Sequence, residues 1–359
     1  MMMRATLPSR SGVVPGLTRP SGLTEGDEGM NRCRVDESLE RLVRDGVSFP
    51  LGVYPVEDIS PRQGYSVEFE PADGDNENGD WEEWPDRYVF DIVITAERLE
   101  SLCRQLFALL PGRVYPILDY IGHDAYREID PYIAYELVGQ DRLLDAIRRY
   151  RDFLFEDGMV GFGALCDDPF IYVFIDEHKI VTVRVTAEHK ARVEKILAAF
   201  DLEEVPEPRG ADSSAHEHRS VLLAPPDRPE LLSGEEIVER LRDDWRLVLN
   251  IDAEQNQDDE GNELGMTDWR CLVRCASERQ PEARYLEVVL RASSLSEAEE
   301  IASEVASGQV DRESAGSWVD LIIIACDRMR PEQTEEHMRR FERDASEPGD
   351  PDVLGVRWL

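Results

Sequence analysis

Phe170-Ile171-Tyr172-Val173-Phe174-Ile175-Asp176-Glu177-His178-Lys179-Ile180-Val181-Thr182-Val183-Arg184-Val185-Thr186 is the stretch whose reading decides the fold. Two β-branched and aromatic runs flank a short polar turn, Asp176 to Lys179, which is the pattern of a β-hairpin. The first run is apolar at every position, so a strand from Phe170 to Ile175 should be buried on both faces. The second alternates, with Val181, Val183 and Val185 pointing one way and Thr182, Arg184 and Thr186 the other. From Thr186 an amphipathic helix follows, carrying Val193, Ile196, Leu197 and Phe200 on one face. A central strand, a more exposed neighbour and a packed helix frame an α+β sheet domain. The tip of the hairpin is expected to be an exposed turn.

Upstream, Tyr88 to Ile94 reads as a strand and Thr95 as the cap of a helix running to about Leu110. Its Leu99, Leu102, Cys103, Leu106 and Phe107 follow the i, i+3, i+4, i+7 template. Val114 to Tyr120, Tyr132 to Val138 and Met159 to Leu165 are further strands, and Gln140 to Phe155 a second helix. Asp36 to Asp45 reads as a short helix, capped by Asp36 and stopped by Gly46. Downstream, residues 203–232 are acidic and proline-rich, the composition of an extended linker. Ser233 caps a helix from Gly234 to Asp244. Strands at Arg246 to Ile251, Arg270 to Cys275, Arg284 to Ala292, Trp318 to Ala325 and Val353 to Leu359, with helices at Ser296 to Ala306 and from Pro331, complete the chain.

These elements predict five segments. Residues 1–29 are a disordered N-terminal segment, and Met30 is an alternative start to Met1. Residues 30–86 hold a helix and an acidic loop. A first α+β domain spans 87–202, the linker 203–232, and a second α+β domain 233–359. The mixture of hairpins with β-α connections favours two ferredoxin-like α/β sandwiches with mostly antiparallel sheets over a doubly wound fold.

The chain has 359 residues, and 76 acidic against 40 basic residues give a formal net charge of −36. That field repels nucleic-acid phosphates and anionic membranes, and suits cationic partners: basic proteins, divalent metals or positively charged ligands. No run approaches 18 apolar residues, so no membrane-spanning helix is expected. Six dispersed cysteines, Cys33, Cys103, Cys166, Cys271, Cys275 and Cys326, fit reduced thiols in a cytoplasmic protein better than a disulfide framework.

Motifs for chemistry are sparse. No lysine follows a glycine, so a Walker A loop is absent. Gly158-Met-Val-Gly161-Phe-Gly163 has the wrong order and context for a dinucleotide loop and reads as a helix stop followed by a closely approached strand. Cys271 and Cys275 alternate with Val273 on a strand, about 13 Å apart, too far to share a metal. His216-Glu217-His218, with Asp212 nearby, has a chelating spacing, but within a linker the ordering cost argues for a solvated segment. Asp176-Glu177-His178 at the hairpin tip is the nearest approach to an acid-base cluster. Asp73 and Asp75 in one acidic loop, and Asp258 and Glu260 in another, are weak calcium candidates. Asn256, Asp258, Glu260 and Gly261 resemble half an EF-hand loop, with Thr267 where its closing Glu belongs.

No cofactor is expected. The function these observations favour is a non-enzymatic protein-binding or regulatory module. Trp81, Glu82, Glu83 and Trp84 offer aromatic anchors among acids for a basic partner. The alternative is a metal-assisted hydrolase whose Asp, Glu and His residues come from distant parts of the chain.

Overall fold

A computed structural model describes residues 32–72, 84–225, 227–228, 230–277, 280–313, 319–341 and 352–359. The segment 1–29 and the residues Asp73, Asp75, Trp81, Glu82 and Glu83 lie outside them. The chain is mixed α+β with antiparallel sheets, and it divides into two compact units. The first takes Met1–Tyr120 and Asp130–Asn250, the second Ile121–Ile129 and Ile251–Leu359. No helix among the described residues is long and apolar enough to cross a membrane.

The first unit is built on one large sheet. Its strands run in the order Leu247–Leu249, Asp130–Ala134, Arg113–Tyr120, Val160–Asp167, Phe170–Ile175, Val181–Val185, Arg87–Val93 and Gly64–Glu70, with Val138–Gly139 also pairing Arg113–Tyr120. Phe170–Ile175 is an interior strand, as its unbroken apolar run requires. Ile171, Val173 and Ile175 are fully buried under the helices, and Phe170 and Phe174 are buried on the opposite face. The alternating strand beside it buries Val181, Val183 and Val185 completely.

Helices Ala96–Phe107, Gln140–Arg149, Arg151–Glu156, Ala187–Ala199 and Gly234–Trp245 supply the other half of this core, through residues such as Leu102, Leu143, Phe153, Leu197 and Trp245. The reverse face holds a smaller cluster of Ile117, Ile133, Leu165, Phe170 and Phe174. Trp84 packs there, its ring centroid 5.4 Å from that of Phe170, with the Arg87 and Arg184 guanidinium groups 5.1 and 5.0 Å from its ring. It is half-buried and engaged within its own unit.

Three expectations are corrected. Asp36 to Asp45 is not a helix. Asp36 closes a local turn by accepting from the Ser38 amide, and Asp45-Gly46 makes the tight turn between the paired strands Val43–Arg44 and Val47–Ser48. Both turn residues have positive φ, 47° and 81°, the geometry that Asp-Gly favours in a two-residue hairpin. Second, the described residues of 203–232 are not a free linker but lie along the first unit. Glu204 bridges Tyr65, Arg209 bridges Arg62, Leu222 bridges Val35, and Ala211, Val221, Leu231 and Leu232 are buried. Third, the helix capped by Ser233 buries Ile237, Leu241 and Trp245 in the first unit's core, so the division between units falls after Asn250 and not at 233.

The second unit has a four-stranded antiparallel sheet in the order Val319–Met329, Thr267–Ser277, Gln280–Ala292, Val353–Trp358. Ala298, Ala302 and Ala306 of helix Leu295–Glu313 are fully buried at i, i+4 spacing. Phe341 of helix Pro331–Phe341 packs with Val289 and Met329. Its succession is ββαβαβ, which differs from the βαββαβ of a ferredoxin-like domain. Cys271 and Cys275 share one strand, as their alternation implies, and the Cys271 sulfur faces Cys326 across the sheet at 2.9 Å.

A buried ion pair locks this unit. Both Asp124 oxygens accept from Arg328 Nε at 3.0 and 2.9 Å, and Oδ2 also accepts the Arg328 amide at 3.0 Å. Burial pushes the Asp124 carboxyl up, but the Arg328 hydrogen bonds and the Arg127 charge outweigh it and hold the carboxyl below its ordinary value. A depressed carboxyl contributes stability that is present above its unfolded pKa and lost as pH falls through its folded value. Asp124→Asn strands the guanidinium, so it should cost the second unit about 3–5 kcal/mol. Urea denaturation at pH 7 and pH 3 measures this, and the gap between variant and parent should shrink at the lower pH.

Candidate metal centre

The site is built from three pieces of the first unit that are distant in sequence: the hairpin tip, the segment 211–219, and the turn at Gly158. Within the tip, Asp176 ties the loop to itself. Its Oδ1 accepts the Ile180 amide at 2.7 Å, and its backbone carbonyl accepts the Lys179 amide at 3.1 Å. Lys179 takes a left-handed φ of 66° and turns inward, where its ammonium donates to the Val160 carbonyl. Burial lowers that ammonium to about 8, against the pull of the Asp157 and Asp176 carboxylates. The tip is therefore not the exposed turn expected of it. Lys179 is buried, and Asp176, Glu177 and His178 are half-buried. Segment 211–219 lies against it.

That segment contains a short strand, His216–His218, which pairs antiparallel with Val53–Pro55. Alternation along it puts His216 and His218 on one side and exposed Glu217 on the other. The strand is seated by a close backbone crossing. Arg219 donates its amide to the Gly52 carbonyl at 2.9 Å, and Gly158 donates to the Arg219 carbonyl at 3.2 Å. A Cβ on Gly158 would stand 2.0 Å from the Gly52 oxygen, so the crossing requires glycine there. The helix stop and close approach read from the glycine run are found at this position.

Three imidazoles meet where these pieces join. His178 Nε2 lies 2.9 Å from His216 Nε2, which lies 3.1 Å from His218 Nε2. The ring centroids are 4.6, 4.7 and 4.9 Å apart, and the rings cross at 73 to 81°, so each presents an edge to one common point. The Nδ1 atoms face outward to acceptors. His216 Nδ1 donates to the Ser214 carbonyl at 2.7 Å and His218 Nδ1 to the Gly158 carbonyl at 2.8 Å. Glu177 and Asp176 carboxylate oxygens stand 3.3 and 3.5 Å from His178 Nδ1.

These partners assign the tautomers. A carbonyl only accepts, so Nδ1 of His216 and of His218 carries the hydrogen. Each neutral ring then turns a lone pair, not an N–H, toward the other two. The carboxylates favour the same tautomer in His178. Three such lone pairs at hydrogen-bond distance repel unless a cation sits among them, either a metal ion or a proton held on Nε2 of His178. Burial lowers His218 to about 4, so it is neutral at pH 7. Burial also opposes charge on His178, but Asp176 and Glu177 outweigh it and raise its pKa above the ordinary value.

A tetrahedral zinc with Zn–N of about 2.0–2.1 Å sets its nitrogens roughly 3.3 Å apart. The observed separations fall a few tenths of an ångström short, a gap that small ring rotations close. The outward Nδ1 hydrogen bonds are the partners that fix the tautomer and orientation of metal-bound histidine. Asp119 feels the negative charge of the same tip. Burial and the charges of Glu177 and Asp176 push its carboxyl up to about 7.

The structure thus joins two motifs that sequence reasoning held apart, the His-x-His pair and the hairpin-tip histidine. Of the weak calcium candidates, Asp258 and Glu260 are among the described residues. Asp258 spends its carboxylate within its own turn, accepting from the Glu260 and Asn262 amides and the Asn262 side chain, and Glu260 accepts from that same side chain.

Gly158→Ala tests the support of the centre. The added methyl meets backbone, so a loss of about 1–3 kcal/mol in stability is expected. Displacing the carbonyl that holds His218 should weaken metal affinity about 10–100-fold. Urea denaturation and zinc titration measure the two effects separately. Comparison with family models, curated proteins and solved structures finds no match to this chain.

Proposed function

We propose that this protein binds a divalent transition-metal ion, zinc by the chemistry of its ligands, through Nε2 of His178, His216 and His218. One observation carries the reading: three imidazole lone pairs converge while every Nδ1 faces an oxygen acceptor. Imidazole suits zinc, copper, nickel and iron, whereas calcium and magnesium require oxygen ligands. The net charge of −36 draws cations toward the surface before the imidazoles select among them.

Metal at this centre clamps segment 211–219 to the hairpin tip. The binding of a basic protein drew on the acidity, the absence of catalytic motifs and the Trp81 to Trp84 stretch, of which Trp84 packs on its own sheet, and the convergence of three imidazoles gives the metal reading the stronger support.

Equilibrium dialysis of chelator-stripped protein against zinc, in 150 mM salt with excess magnesium, tests the proposal. Magnesium occupies carboxylate sites and leaves imidazole sites free. One tightly held zinc per chain is expected. Zinc that magnesium displaces would assign the binding to surface carboxylates and refute the centre.

A further inference from the structure

The centre has three protein ligands, and their number bears on what the metal does. Among the described residues, no fourth imidazole, thiol or carboxylate joins the three histidines in one cluster. The carboxylates of Asp176 and Glu177 address His178 Nδ1, the far edge of a ring whose Nε2 faces the centre. Glu217 points off the other side of its strand and is exposed. Structural zinc sites are closed by four protein ligands, whereas sites that exchange ligands keep three and leave one position open.

Charge and access agree with the second type. Three neutral imidazoles leave a divalent ion its full charge of +2, which an oxygen or anionic ligand offsets. All three rings are half-buried, the His178 side chain 17% exposed, so solvent reaches the cluster.

We propose that the fourth coordination position of this centre is a ligand-exchange site that takes water or a small monodentate anion. This rests on the metal reading above. The reaction class such a position supports is hydrolysis or hydration through metal-activated water.

Cobalt(II) is the probe, because its visible spectrum reports coordination number and ligand change. Stripped protein is loaded with cobalt and titrated with sodium azide, at constant ionic strength set by sodium perchlorate. The expected result is uptake of one cobalt with the intense visible bands of a four-coordinate ion, and a saturable change in those bands on adding azide. Bands that appear on loading but ignore azide would show a closed site and overturn the exchange position while leaving the metal centre intact. No uptake of cobalt would overturn the centre and this inference with it. Glu217→Ala should behave as the parent in both steps. A cobalt spectrum that survives in His216→Ala would place the ion elsewhere and overturn the inference.

Discussion

Val183→Asp should unfold the first unit. Val183 is fully buried, paired with Val173 on one neighbouring strand and Phe90 on the other, so its side chain lies in the layer between sheet and helices. A carboxylate there has no partner. The effective penalty for an unpaired buried charge is several kcal/mol, and losing the valine methyls adds to it. A domain's whole net stability is about 5–15 kcal/mol. Far-UV circular dichroism and the thermal transition of the first unit should both be lost or sharply reduced. Thr186→Asp is the control. It adds the same charge three residues on, at the N-cap of helix Ala187–Ala199, where no side chain now caps the helix and an aspartate is favoured. That variant should melt at or slightly above the parent temperature. A native spectrum and transition in Val183→Asp would remove the hairpin from the centre of the fold.

The second large effect is on metal binding. His216→Ala and His218→Ala each remove one of three ligands, so each should weaken zinc affinity by more than the roughly 10–100-fold typical of losing a supporting hydrogen bond. Both rings are half-buried on a short strand, so the fold should survive. Zinc at about 100 times its dissociation constant should stabilise the parent by about 2.7 kcal/mol. For a unit of this size that raises the melting temperature by about 5–10 °C. The rise should vanish in either variant and persist in Glu217→Ala. An equal rise in His216→Ala would show that the stabilising zinc binds elsewhere.

Much of the fold was legible because burial and periodicity speak locally. The unbroken run Phe170 to Ile175 announced an interior strand, and Leu99 to Phe107 a helix with one apolar face. Ser233 announced a helix start, and the structure adds a reciprocal capping box between it and Glu236. Pairing was less legible. The ββαβαβ order of the second unit depends on which edge each new strand joins, and no local pattern carries that information. Asp45-Gly46 was misread because glycine ends helices and also makes two-residue hairpin turns, and the flanking Val-Arg and Val-Ser pairs are too short to show a period.

The candidate site was legible in halves. The alternation in His216-Glu217-His218 puts two imidazoles on one side of a strand, and the acidic neighbours of His178 are plain in the sequence. Their meeting depends on segment 203–232 lying along the sheet instead of leaving it. Its prolines and acidic residues concealed that, because the contacts that hold it are backbone bridges and a glycine crossing rather than a periodic apolar face.

Long-range proton–nitrogen NMR of the histidine side chains, recorded without metal and with one equivalent of zinc, tests the central claim most directly. The account predicts that His178, His216 and His218 carry hydrogen on Nδ1 at neutral pH. It also predicts that zinc shifts the Nε2 resonances of these three rings together and leaves those of His123, His189 and His337 in place. Hydrogen on Nε2 of His216 or His218 in the metal-free protein, or zinc that leaves the three resonances unmoved, would contradict it.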